Sequence, residues 1–119
     1  MVQRIVPDIL VYDLPAAVKE YSVIHHLEVV MDLGSVVTLA DADGHQLTLI
    51  AADPAGGVNP EMSIFVDDVQ ASHDAAVAAG VEIVRPLTAE PWGVTRFFYR
   101  DGAGHVVNVG THTATQERP

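Results

Sequence analysis

The stretch PWGVTRFFYRDGAGHVVNVGTH, Pro91 to His112, decides how the chain is read. Thr95 to Arg100 is aromatic-rich, Asp101-Gly102-Ala103-Gly104 carries turn chemistry, and Val106 to Val109 is β-branched apart from Asn108, so the spacing predicts strand, tight turn, strand. The turn and outgoing strand occur a second time. Asp41-Ala42-Asp43-Gly44-His45 with Gln46 to Leu49 aligns with Asp101 to Val109 at a constant offset of 60 positions, and Asp, Gly and His are identical in both copies. Leu47 and Leu49 stand where Val107 and Val109 stand, so the apolar alternation is kept. The chain reads as a duplication.

Working outward, Arg4 to Val11 is a predicted strand in which Pro7 is tolerated only where its missing N–H faces no partner. Asp13 is a predicted N-cap, with Pro15 in the first turn, for a helix to about Ile24 bearing Ala17, Val18 and Tyr21 on its apolar stripe. Leu27 to Leu33, Val36 to Ala40 and Gln46 to Ala51 follow as strands, giving βαβββ. Asp53 to Pro60 is linker-like. Then the pattern restarts: a strand Met62 to Val66, the helix entry Val66-Asp67-Asp68-Val69 matching Val11-Tyr12-Asp13-Leu14, and a helix capped by Gly80. Val81 to Val84, Thr95 to Arg100 and Val106 to Val109 complete a second βαβββ. The helix entries are offset by 55 rather than 60, which places an insertion of about five residues at Thr88 to Gly93, around the single Trp92.

Composition excludes several classes of function. The 119 residues are 49% apolar and contain no cysteine, so one domain can bury a core, and thiol nucleophiles, thiolate metal sites and disulfides are ruled out. The net charge of −10 and the absence of a basic run argue against nucleic acid and anionic membranes as partners. No signal or spanning segment is visible, and the expectation is a cytoplasmic protein. No serine sits in a nucleophile elbow, and Gly56-Gly57 does not open a helix as a phosphate loop would.

The paired modules, the two helix entries and Trp92-Gly93 to Asn108 resemble the vicinal oxygen chelate superfamily, which includes glyoxalases, bleomycin-resistance proteins and extradiol dioxygenases. The resemblance covers Val2 to His112 and implies an α+β fold: two tandem βαβββ modules, about 3–52 and 61–112 around a 53–60 linker, forming a curved sheet cup with helices outside. It also implies a small-molecule ligand and a homodimer that completes each cup. Metal-dependent relatives take ligands at the positions of Val6, Thr48, Glu61 and Asn108. Only Glu61 of these is a conventional ligand, so no metal cofactor is expected; Asp8 beside Glu61 in a distorted divalent site is the weaker alternative.

Alternation assigns the faces. Ile9 and Val11, and Met62, Ile64 and Val66, are expected against the helices, leaving Asp8, Leu10, Glu61, Ser63 and Phe65 in the cup. A three-residue loop with a bulge at Gly104 places Arg96 and Phe98 on the Asn108 face and Phe97 and Tyr99 in the core. The candidate ligand-binding set is therefore Trp92, Arg96, Phe98, Asn108, Glu61, Asp8 and Phe65, with Glu61 and Asp8 as candidate catalytic bases. For several of these a structural role stands beside the functional one. Arg96 can neutralise Glu61 or Asp8, Trp92 can anchor a core or a dimer, and Asn108 can serve a neighbouring strand. His45 and His105 are expected as turn residues, His25-His26 at a helix end against its last carbonyls, His73 on a helix surface, and His112 on the Asn108 side by parity. Two functions follow: a metal-independent binder of a small, partly aromatic molecule, or an enzyme, either a metal-dependent lyase or dioxygenase or a metal-free isomerase or cyclase using Asp8 or Glu61.

Overall fold

A computed structural model describes residues 1–52 and 58–112. The predicted linker at 53–60 lies partly outside these, and Gly56-Gly57 and the polar tail at 113–119 lie wholly outside. The element order is β1 (Val2–Val11), α1 (Leu14–His25), β2 (Glu28–Asp32), β3 (Val36–Ala40), β4 (Gln46–Ala51), β5 (Met62–Val66), α2 (Val69–Ala79), β6 (Glu82–Glu90), β7 (Val94–Arg100) and β8 (Val106–His112). This is an α+β chain of two βαβββ repeats. It divides into two compact units, Val6–Asn59 and Met1–Ile5 with Pro60–Pro119, so the boundary falls inside β1.

In the first unit the strand order is β2-β3-β4-β1, antiparallel except for the parallel β1/β4 pair. The β1/β4 register begins at Asp8 opposite Thr48, so Pro7 removes no rung from that ladder. The Asp13 carboxylate accepts from the Ala16 N–H at 3.0 Å and starts α1. Leu14 and Ala17 of the helix pack on Val37, Leu39 and Leu49, with Ile9, Val11, Val18 and Tyr21 around them. Odd-numbered residues of β1 therefore face the helix, as the alternation predicts. No glycine follows α1, and His26 itself takes the left-handed C-cap conformation at φ 57°.

The second unit repeats the plan with the order β6-β7-β8-β5 and a parallel β5/β8 pair. Asp68 accepts from the Ala71 N–H at 3.0 Å, and Gly80 ends α2 at φ 79° with its N–H on the Val77 carbonyl. Val66, Val69, Phe97, Val107 and Val109 form the core, joined by Met62, Ile64 and Tyr99. His73 departs from expectation: its ring meets Phe97 edge-on at 5.0 Å, so it packs onto the core instead of lying on the helix surface.

Both turns of the duplicated motif have one geometry. The Gly44 and Gly104 N–H groups return to the Asp41 and Asp101 carbonyls, Asp41 and Asp101 donate to the His45 and His105 carbonyls, and both glycines are left-handed (φ 88° and 95°). Each aspartate Oδ1 accepts the N–H groups two and four residues on. The histidines point outward and pair with the same aspartates at 2.7 and 3.1 Å. The strand predicted at Val81 to Val84 runs further: β6 has nine residues where β2 has five, so the extra residues of the second copy lengthen the strand, and Pro91-Trp92-Gly93 turns, with Gly93 left-handed at φ 88°.

Candidate functional site

In the second unit, the sheet face opposite α2 carries most of the candidate residues. Register places Ser63, Asn108, Phe98 and Arg85 in one cross-strand row, and Phe65, Gly110, Arg96 and Thr88 in the next. Side chains of paired residues project to the same face, so these rows form one surface. In the second row Gly110 leaves a floor between Phe65 and Arg96. A Cβ there would meet the Arg96 Cβ and a Val94 methyl, each at 3.4 Å.

Arg96 is held rigidly. Its Nε donates to Glu90 Oε2 at 2.8 Å, and Arg85 donates to the same oxygen from Nε at 3.0 Å and Nη2 at 2.7 Å. The Arg96 guanidinium lies 5.1 Å from the Trp92 ring centre and 4.9 Å from that of Phe98. Burial alone pushes the Glu90 carboxyl up, but the hydrogen bonds and charges of Arg96 and Arg85 outweigh it and hold it below its ordinary value. The partner expected for Arg96, Glu61 or Asp8, is thus replaced by Glu90. Alternation within the strand stretches could not show this, because Glu90 fell inside the presumed insertion. The signal was the Trp92-Gly93 turn, which sets Glu90 opposite Val94 and so beside Arg96.

A second cluster flanks Gly110 on the Phe65 side. The Arg4 guanidinium sits 4.0 Å over the Phe65 ring, and the His112 ring stacks on Phe65 at 4.8 Å, 9° from parallel. Arg4 Nη2 lies 2.7 Å from His112 Nε2. Arg4 can only donate, so Nε2 accepts and the neutral ring carries its proton on Nδ1. Burial, then the Arg4 charge, pulls the His112 pKa below its ordinary 6.5. Arg4 Nε and Asn108 Oδ1 are buried with no hydrogen-bond partner among the described residues.

Three candidates remain. Asn108 is buried and donates to Ser63 Oγ at 3.0 Å. Glu61 is exposed at the entrance to β5, where its carboxylate accepts from the Val106 N–H at 3.4 Å. Asp8 belongs to the first unit, buried in a row with Thr48 and Thr38, whose hydroxyls bond each other at 2.9 Å.

The four family metal positions do not fit a metal. Val6 is a buried hydrocarbon, Thr48 is bonded to Thr38, and the Asn108 amide is bonded to Ser63, which leaves an exposed carboxylate at Glu61. Among the described residues, Asp41, Asp43 and His45 bring three ligand atoms within 4.8 Å of one another. That group is an exposed turn, and the Asp41 oxygens already accept from the Asp43 and His45 backbone and the His45 ring.

A duplicated βαβββ chain, each repeat a four-stranded sheet with its helix on one face, defines a class of proteins built on one scaffold. Residues 9–109 match the model of the Glyoxalase/Bleomycin resistance protein/Dioxygenase superfamily, and the chain belongs to that family. A search of curated proteins finds no match. Among solved structures, methylmalonyl-CoA epimerase from Mycobacterium tuberculosis is similar over 96% of this chain and 90% of its own (TM-score 0.77, 18% identity). A superfamily member from Vibrio splendidus 12B01 covers 93% and 99% (TM-score 0.71, 16% identity). A Legionella pneumophila chain described as an NAD-dependent benzaldehyde dehydrogenase covers 92% and 99% (TM-score 0.73, 16% identity). Names so different on one fold mean that the likeness carries the fold alone. No helix among the described residues is long and apolar enough to cross a membrane.

Proposed function

We propose that this chain is a metal-independent binder of a small, partly aromatic molecule, held on the sheet face that carries Trp92, Arg96, Phe98, Asn108 and Phe65. The observation that carries this reading is the Arg96 guanidinium, fixed by Glu90 and set against both Trp92 and Phe98. A cation held in place beside two rings, one of them half exposed, is a ready surface for a flat ligand. Two buried polar atoms without partners among the described residues, Arg4 Nε and Asn108 Oδ1, support it as groups that a ligand would satisfy. Trp92 is the only tryptophan, so titration with an aromatic library followed by its emission is the direct test. Ligands that quench it in wild type and fail against Arg96→Ala support the reading, whereas quenching by none of them removes it. Metal analysis of protein purified without chelator should find less than one equivalent, and chelator should leave Tm unchanged.

The enzyme reading rests on Asp8, a carboxylate buried in the threonine row of the first unit, as a general base. Proton exchange at a carbon acid that is lost in Asp8→Asn, with fold retained, would establish it. A homodimer in the cytoplasm remains our expectation for the assembly. It is supported by β2, which ends its sheet with Val29, Val30 and Met31 exposed on both faces. Sedimentation should give one species at twice 12.7 kDa, and a monomer that binds ligand would overturn it.

A further inference from the structure

Charge is distributed unevenly over this chain. Of six lysines and arginines against sixteen acids, Arg4, Arg85 and Arg96 surround Gly110 and its neighbours on one sheet face, and Glu90 is the acid that Arg85 and Arg96 hold. Glu61 shares the face by alternation. It lies four positions before Phe65, roughly 13 Å along the strand. The centre of the face therefore carries a surplus of positive charge on a chain whose net charge is −10.

The donors there are only partly used. Arg96 commits Nε to Glu90, and among the described residues neither of its Nη groups takes a hydrogen bond. Arg4 donates from Nη2 to His112, while its Nε is buried and unpaired. Phe65 and Arg96 flank Gly110 across neighbouring strands, so roughly 10 Å separates the two clusters at the backbone, and Gly110 itself contributes no side chain between them. A flat ring laid over that floor would have Phe65 and the half-exposed Trp92 beside it. An anionic substituent on such a ring would lie between two guanidinium groups already fixed in place, so little ordering entropy opposes the contact.

We propose that the ligand of this face is an organic anion with an aromatic or flat apolar body, its charged group taken by Arg4 and Arg96 above Gly110. The proposal rests on the binding reading above and deepens it by assigning the ligand's charge.

The test compares 2-naphthoate with 2-naphthamide, which share one body and differ in charge, by calorimetry and Trp92 emission. The naphthoate should bind about tenfold tighter or better, a difference of about 1.4 kcal/mol. Arg4→Met and Arg96→Met should each shrink that ratio to about threefold or less through loss of naphthoate affinity. In wild type, raising salt from about 50 to 500 mM should weaken the naphthoate and spare the amide, a readout that needs no variant to fold. If the amide binds as tightly as the naphthoate, the charge assignment is wrong and the aromatic-binding reading survives. Binding of neither compound up to about 5 mM, only some 3 kcal/mol of affinity, overturns both.

Discussion

Glu90 decides more than any other single side chain, because one of its oxygens receives three N–H groups from two arginines. Its side chain is 6% exposed, against 37% for Arg85 and 24% for Arg96. Glu90→Gln keeps the shape but leaves two like charges facing each other. A fully buried pair broken this way costs about 3–5 kcal/mol, and solvent screening of the arginines reduces the expectation to roughly 1–3 kcal/mol at pH 7. Since the Glu90 carboxyl sits below its ordinary 4.5, its contribution is present above that value and lost as pH falls through the folded pKa. Urea unfolding should therefore separate wild type from Glu90→Gln at neutral pH and bring them together as pH falls through the folded Glu90 pKa. His112 behaves in a related way at higher pH. Its pKa is lowered below 6.5, so its contribution stands above that point and fades as acid protonates the ring. NMR titration should find its midpoint below 6.5, and Arg4→Met should raise it only partly, since burial is the larger cause.

At the level of elements, the two helices end differently, and the difference is measurable. Gly80 takes the left-handed cap of α2 without strain, whereas His26 takes it at the end of α1 with a Cβ. His26→Gly should stabilise the protein by roughly 0.5–1 kcal/mol in chemical denaturation, and no change would mean that the histidine ring compensates locally. Strand parity was legible from sequence wherever a turn type could be named. Asp101 to Gly104 gave the loop that sends Phe97 and Tyr99 inward and leaves Arg96 and Phe98 beside Asn108. Phe97 is fully buried, and Phe97→Ala should cost about 3–5 kcal/mol. The extension of β6 was not legible, because Thr88, Ala89 and Glu90 lack the aromatic and β-branched density that marks a strand and two register shifts break the hairpin alternation. Glu90 was lost with it. Arg4 and His112 were hidden for another reason: their contact joins positions 108 residues apart, which no local pattern encodes.

For the whole molecule, the duplication was visible in the repeated turns, while its polar pairings emerge only from the folded sheet, and those pairings set how stability responds to pH. Among the described residues four carboxyls lie below their ordinary values: Asp41 through the His45 ring, Asp67 through the Met1 ammonium, Asp101 through the His105 backbone, and Glu90 through its arginines against the cost of burial. Each contributes above about pH 4–4.5 and is lost as acid protonates the folded state. The two shifted histidines oppose each other. His45 is raised above 6.5 by Asp41, so its contribution holds below that value and is lost as pH rises through the folded pKa; His112 is lowered and does the reverse. Self-repulsion from a net charge of −10 falls toward the sequence isoelectric point near 4.7, which favours mild acid until the carboxyl pairs fail. Calorimetry from pH 3 to 8 should thus show a broad maximum in Tm at about pH 5–7 and a steep fall below about pH 4. Added salt should raise the neutral limb by screening repulsion and leave the acid fall, which depends on short hydrogen-bonded pairs, largely in place. A Tm that climbs without a plateau from pH 8 down to the isoelectric point near 4.7 would mean that repulsion, and not the carboxyl network, governs the stability of this chain.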